Sequence, residues 1–243
     1  MNNNPRPGLN SLLGVLAAGA VFGAATSLAN AVAHLSVDLE SREATTSGWS
    51  IMEIVSVLLD SGWAWAGLAV LAGSLATRAE QSDLRARTLA RGAVAGVLAL
   101  LAATAVYYAV DTIVHDVPLS SYGYDTLYWW AATVLLGPIL GAIGACARQP
   151  GAIGVLAQVT VPVGAAVQMF VMPPGRNEVI TTIGQWVVWT MATVTISRSF
   201  AVVFSPRPVE VYFCPGPSTT LDSSRDVSVS GVPALTTWFG ASV

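Results

Sequence analysis

The chain has 243 residues, of which 53% are hydrophobic and only 10% charged, and its mean hydropathy is +0.62. Soluble domains carry about 25% charged residues, so this composition excludes an ordinary water-soluble enzyme and points to a multi-pass membrane protein. The net charge of −3 leaves no electrostatic footprint for nucleic acid.

Six apolar segments are long enough for a bilayer core, which takes roughly 20 helical residues. They run over 9–35, 49–77, 89–114, 126–147, 151–172 and 179–204. The expected fold class is therefore all-α: a polytopic bundle of about six transmembrane helices over 1–204. A Pro-, Ser- and Thr-rich stretch follows over 205–243, read as a flexible cytoplasmic tail. In the first span, Ala29-Asn30-Ala31 resembles a small-residue cleavage site, but the single preceding Arg and the length favour an uncleaved anchor. Gly19, Gly23 and Ser27 recur every four residues there, as do Gly137, Gly141 and Ala145 in the fourth span. Small residues let helices approach closely. The plain reading is contact within one chain; a homo-oligomer or a partner helix is the other.

All 11 basic residues are Arg, which fits a GC-rich coding bias. Arg6, the group Arg78, Arg85, Arg87 and Arg91, then Arg148 and Arg207 fall on one set of connections. Only Arg42 and Arg176 fall on the other. By the positive-inside rule both termini are cytoplasmic, in a cell membrane. The two Cys, Cys146 and Cys214, offer no disulfide framework, and His34 and His115 match no metal spacing. We expect no metal and no cofactor.

The second span, IMEIVSVLLDSGWAWAGLAVLAGSLAT from Ile51 to Thr77, carries Asp60 near its middle. A carboxyl at that depth costs roughly 2.5–3.5 kcal/mol on insertion scales, and its side chain is too short to reach the interface. As one continuous helix, the span would place Glu53 two turns earlier on the Asp60 face, with Trp63 three residues further on. Near the end of the third span, Thr104, Tyr107, Tyr108 and Asp111 share a face, and the loop over 118–125 is placed to cap it. Trp49, Tyr124, Tyr128, Trp129 and Trp130 lie where interface aromatics are common. Span five adds Gln158, Pro162 and Gln168; span six adds Gln185, Trp186 and Trp189.

The first five spans resemble an uncharacterised family of small bacterial multi-pass membrane proteins. The matching pieces are the GxxxGxxxS-like first span, a polar-small-x-x-x-Trp element in the second, the Tyr-Tyr pair in the third, and Gly137-Pro138-x-x-Gly141. That family carries no activity. An Asn is common in it at the position of Asp60, so this chain replaces a neutral amide with a proton donor. Size and site chemistry also resemble the integral-membrane terpene cyclases of meroterpenoid and indole-terpenoid pathways, which start a carbocation cascade with an intramembrane acid.

Two functions follow as expectations. The first is a metal-independent terpene cyclase acting on a lipophilic, prenylated substrate. Such chemistry needs a protonated carboxyl in a low-dielectric site, aromatic faces for cations and a dry pocket. No aspartate-rich DDxxD cluster is present, so protonation fits better than ionisation of a diphosphate. Asp60 would be the general acid, with Glu53 or Asp111 as its hydrogen-bond partner or terminal base. Trp63, Tyr107, Tyr108 and Trp186 would line the cavity. The alternative is the substrate-binding membrane subunit of a small-solute or vitamin transporter, a six-helix bundle of similar size whose ligand site faces outward.

Overall fold

The computed structural model describes residues 7–39, 51–78, 86–174 and 178–204. The expectations about Arg6, Arg42, Trp49, Arg85, Arg176, Arg207, Cys214 and the 205–243 tail fall outside those residues. Among the described residues the fold is all-helical, with no strand. There are seven α-helices: α1 Pro7–Leu39, α2 Ile51–Leu59, α3 Gly62–Ala76, α4 Ala86–His115, α5 Gly123–Cys146, α6 Ala152–Val171 and α7 Glu178–Phe204. A 3-10 turn, Leu119–Tyr122, leads into α5. Five helices are long and apolar enough to cross a membrane, and α2 with α3 makes a sixth if that bent pair is one span.

The second apolar segment is not one helix. It bends by 57° between α2 and α3, and Asp60 and Ser61 form the break. The Asp60 amide still donates to the Ser56 carbonyl (2.9 Å), so α2 winds up to Asp60. Ser61 then turns extended, with φ −72° and ψ 143°, and its hydroxyl donates back to the Leu58 carbonyl at 2.6 Å. A serine hydroxyl offers the backbone this alternative to the helical ladder, and Gly62 next to it is a weak helix former. The uninterrupted second span is thereby corrected. Glu53, Ser56 and Asp60 share the α2 side, but Trp63 does not follow at a helical i+3.

Glycines set the packing. α4 lies between α1 and α5, and α3 packs on both α4 and α5. A Cβ at Gly19 would strike the Ala99 carbonyl, and one at Gly23 the Ala103 carbonyl. Gly141 is hemmed in by Gly92 and Gly96, and Gly144 by the Val70 carbonyl. Backbone therefore meets backbone, and the core between α1, α3 and α4 is built from small residues, among them Ala69, Ala72, Ala95, Ala99 and Ala103. The glycine rows seen in the sequence are thus occupied by neighbouring helices of the same chain. On the other side, α6 and α7 pack against each other, and α2 leans on α1 and α7. The α5–α6 turn runs through Gly151, whose φ of +82° suits a residue without a Cβ.

Candidate functional site

The break between α2 and α3 sits beside α1 and α4, and polar side chains from all of them converge there. Asn30, seven residues beyond Gly23 on α1, is the hub. Its Nδ2 donates to the Tyr107 hydroxyl at 3.1 Å. Its Oδ1 accepts from the Ser56 hydroxyl. Its side chain also hydrogen-bonds the Asp60 carboxyl. The sequence points to Glu53 or Asp111 as the partner of Asp60; the side chain beside it is the Asn30 amide. A neutral amide can satisfy a carboxyl in either protonation state, whereas a second carboxyl must share or lose a proton. Asp60 itself is exposed.

Aromatic rings continue from this cluster in a series of edge contacts. Phe22 meets Trp65 at 5.4 Å between ring centroids, Trp65 meets Tyr107 at 6.2 Å, and Tyr107 meets Tyr108 at 5.2 Å. Tyr108 is buried and lies 5.2 Å from the ring of Tyr122, tilted by 38°. Edge and offset contacts at these distances are the preferred geometry for aromatic quadrupoles. The 3-10 turn thus covers this end of α4, as the position of the loop suggested.

Asp111 lies further along α4 and only 14% of its side chain is exposed; His115, one turn on, approaches it at 3.5 Å. The Tyr122 hydroxyl donates to the Asp111 carboxylate. Tyr107 stands between the two carboxyls, within electrostatic reach of both Asp60 and Asp111. Asp111 is therefore tied to the covering turn, while Asp60 is tied to α1.

Glu53 is buried on α2, with 8% exposure. Trp63 leaves the break on the opposite side. It packs against the cluster of Ala165, Met169 and Val188, as Leu58 and Trp189 also do, and its Nε1 is buried without a hydrogen-bond partner among the described residues. Trp186 is 66% exposed on α7 and touches Trp189 edge-on at 6.3 Å. Expected at the cavity lining, it is exposed and, among the described residues, is not part of the ring series beside Asp60. Tyr124, Tyr128, Trp129 and Trp130 are exposed as well.

Of the seven residues expected at the site, Asp60, Tyr107, Tyr108 and Asp111 belong to one continuous cluster. Asn30, Ser56, Phe22, Trp65 and Tyr122 complete it. Asn30 was open to discovery, since an amide deep in an apolar span carries the same kind of desolvation cost as an acid. No group of three or more His, Cys, Asp or Glu able to hold a metal ion occurs among the described residues. Comparison with protein-family models, curated proteins and solved structures found no match for this chain.

Proposed function

We propose that this chain is an integral-membrane terpene cyclase that protonates a prenylated, meroterpenoid or indole-terpenoid substrate to start its cyclisation. The observation that supports this reading is the exposed Asp60 carboxyl beside the Asn30 side chain, adjoining the Trp65–Tyr107–Tyr108 ring series. Asp60 transfers its proton to an alkene or epoxide of the substrate. The positive charge that results is stabilised by the negative faces of the neighbouring rings. The Tyr122 turn restricts water at the far end, which protects a carbocation from quenching.

The test is conversion of an epoxidised, prenylated substrate by membranes carrying wild-type or Asp60→Asn protein. Asn keeps the shape and removes the transferable proton. Activity should fall about 10²-fold or more, the usual contribution of a positioned general acid, with membrane insertion retained. Full turnover by Asp60→Asn ends the acid-catalyst reading.

One feature favours a second reading. Helices interrupted in mid-membrane hold small solutes in many transporters, and α2–α3 is interrupted at the polar cluster. A substrate-capture subunit would bind a water-soluble vitamin with no cyclisation by the wild type. In either case we read both termini as cytoplasmic from the Arg distribution. A cysteine introduced at Ser120 should react with an impermeant reagent from outside in intact cells; labelling only after permeabilisation reverses the orientation.

A further inference from the structure

At the end of the bundle away from the 3-10 turn, α3 stops, α4 starts and the α5–α6 turn runs. These three helices touch closely there. A Cβ at Gly92 would strike the Gly141 carbonyl and the Ala145 side chain, and one at Gly144 the Val70 carbonyl and the Ser74 amide. Arg78 lies one turn beyond Ser74, Arg87 and Arg91 lie in the first two turns of α4, and Arg148 lies three residues beyond Ala145. Close packing therefore carries these Arg to one end of a tight three-helix unit. Over 78–91 the sequence sets four Arg against Glu80 and Asp83, a net +2, which Arg148 raises to +3. Among the described residues, Asp60 lies at the break and the other acids lie towards the opposite helix ends, as Asp111 and Asp125 do beside the 3-10 turn.

Arg148 is half-buried and held in place. Its Nε donates to the Ser74 hydroxyl oxygen at 3.0 Å. Gln158 Nε2 donates to the neighbouring Ala147 carbonyl at 2.6 Å, which fixes the turn on α6. A guanidinium has five N–H donors, and Ser74 takes one. Because that acceptor is a neutral hydroxyl, the charge is not balanced, and the edge formed by the two Nη atoms is left over. Such an edge matches two oxygens of a phosphate. Arg78 and Arg87 are exposed nearby. Leu71 and Leu75 are exposed on α3 as well, at i, i+4 and i+7 with Arg78, so an apolar row leads straight to the charge.

We propose that Arg148, with Arg78 and Arg87, binds the phosphate of an anionic phospholipid headgroup. Arg148 is the fixed, two-pronged contact, Arg78 and Arg87 supply the surrounding positive field, and an acyl chain lies along Leu71 and Leu75. Basic groups between helix ends at a membrane surface suit this chemistry. The apolar row is what favours a lipid over a free phosphate. The site is independent of the role of Asp60.

The experiment uses the full chain purified in detergent and counts bound lipid by native mass spectrometry as phosphatidylglycerol or phosphatidylcholine is added. The anionic lipid should bind about tenfold or more tightly than the zwitterionic one, and Arg78→Gln and Arg87→Gln should each weaken it about fivefold, the factor for one Arg near an anionic surface. Arg148→Gln should weaken it about tenfold or more, because bidentate charge-assisted contacts are the strong ones. Ser74→Ala keeps every charge and releases the guanidinium; a loss of about threefold is expected, the scale of one ordinary hydrogen bond. Arg198→Gln removes the same charge from α7, which packs on α2 and α6, and should leave the affinity unchanged. Equal binding of the two lipids overturns the site, and so does a loss in Arg198→Gln as large as that in Arg148→Gln. Inorganic phosphate binding as tightly as phosphatidylglycerol overturns the lipid as occupant. If Arg148→Gln does not fold, wild-type affinity in both Ser74→Ala and Arg87→Gln overturns the proposal.

Discussion

Along the contact between α1 and α4, Gly19 and Gly23 rest on the backbone of Ala99 and Ala103, whereas two turns further on Asn30 reaches Tyr107 through side chains. The first stretch has no space for a Cβ. The second holds an amide, two hydroxyls, a carboxyl and a row of rings. The difference shows how one helix pair divides its labour. Backbone contact in one half fixes the crossing, so the other half can hold groups that are costly to bury and have little packing value of their own. Rigid elements with precisely supported side chains make better sites than loops do, and here the glycine contact is the support.

The sharpest way to break this comparison is to put a side chain into the tight half. Gly23→Leu drives atoms into the Ala103 carbonyl. Overpacking a core commonly costs about 1–3 kcal/mol, and backbone yields less readily than a side chain. We expect a cost at or above the top of that range and little folded protein on size-exclusion chromatography in detergent. A normal melting curve for Gly23→Leu would mean that the contact is looser than its geometry. Asp60→Asn, in the other half, should melt like wild type while losing activity.

A smaller effect is expected at the covering turn. Tyr122→Phe keeps the ring on Tyr108 and removes the hydroxyl bonded to Asp111. An ordinary hydrogen bond contributes about 0.5–1.5 kcal/mol, and the half-buried position of Tyr122 keeps this one at the low end. Thermal melting should drop by a few degrees, and cyclisation should give more water-quenched by-product. The smallest effect belongs to Trp186→Ala. Exposed positions usually change stability by less than about 0.5 kcal/mol, and turnover should be unaltered. A tenfold loss of turnover would return Trp186 to the cavity.

The helices were legible because a long apolar run in lipid has few options: a helix satisfies its own backbone and irregular chain does not. The glycine contacts were legible for a related reason, since spacing by four places residues on one face. The break at Asp60–Ser61 was not. Apolar residues continue through it, no proline marks it, and the Ser61 hydroxyl turning back on Leu58 is a local choice between two hydrogen-bonding patterns. Once the helix breaks, the side of α3 that faces each neighbour changes, and Trp63 goes with it. Residue type alone does not tell a lining Trp186 from an exposed one, because α7 has no marked apolar face to orient it. Asn30 is masked by its neighbours, since Ala29-Asn30-Ala31 reads as a processing site, although the burial cost of its amide is a signal in the sequence.

The interruption at Asp60 also bears on how the chain is made. Nine residues of α2 and fifteen of α3 each fall short of the roughly twenty needed to cross a bilayer core. If the pair forms one span, neither half can be released into lipid by itself during synthesis. The two must be held together at the insertion machinery until α1 and α4 are both available, because only then does Asp60 have Asn30, and Asn30 have Tyr107. Biogenesis of this span would then depend on a helix synthesised before it and another synthesised after it.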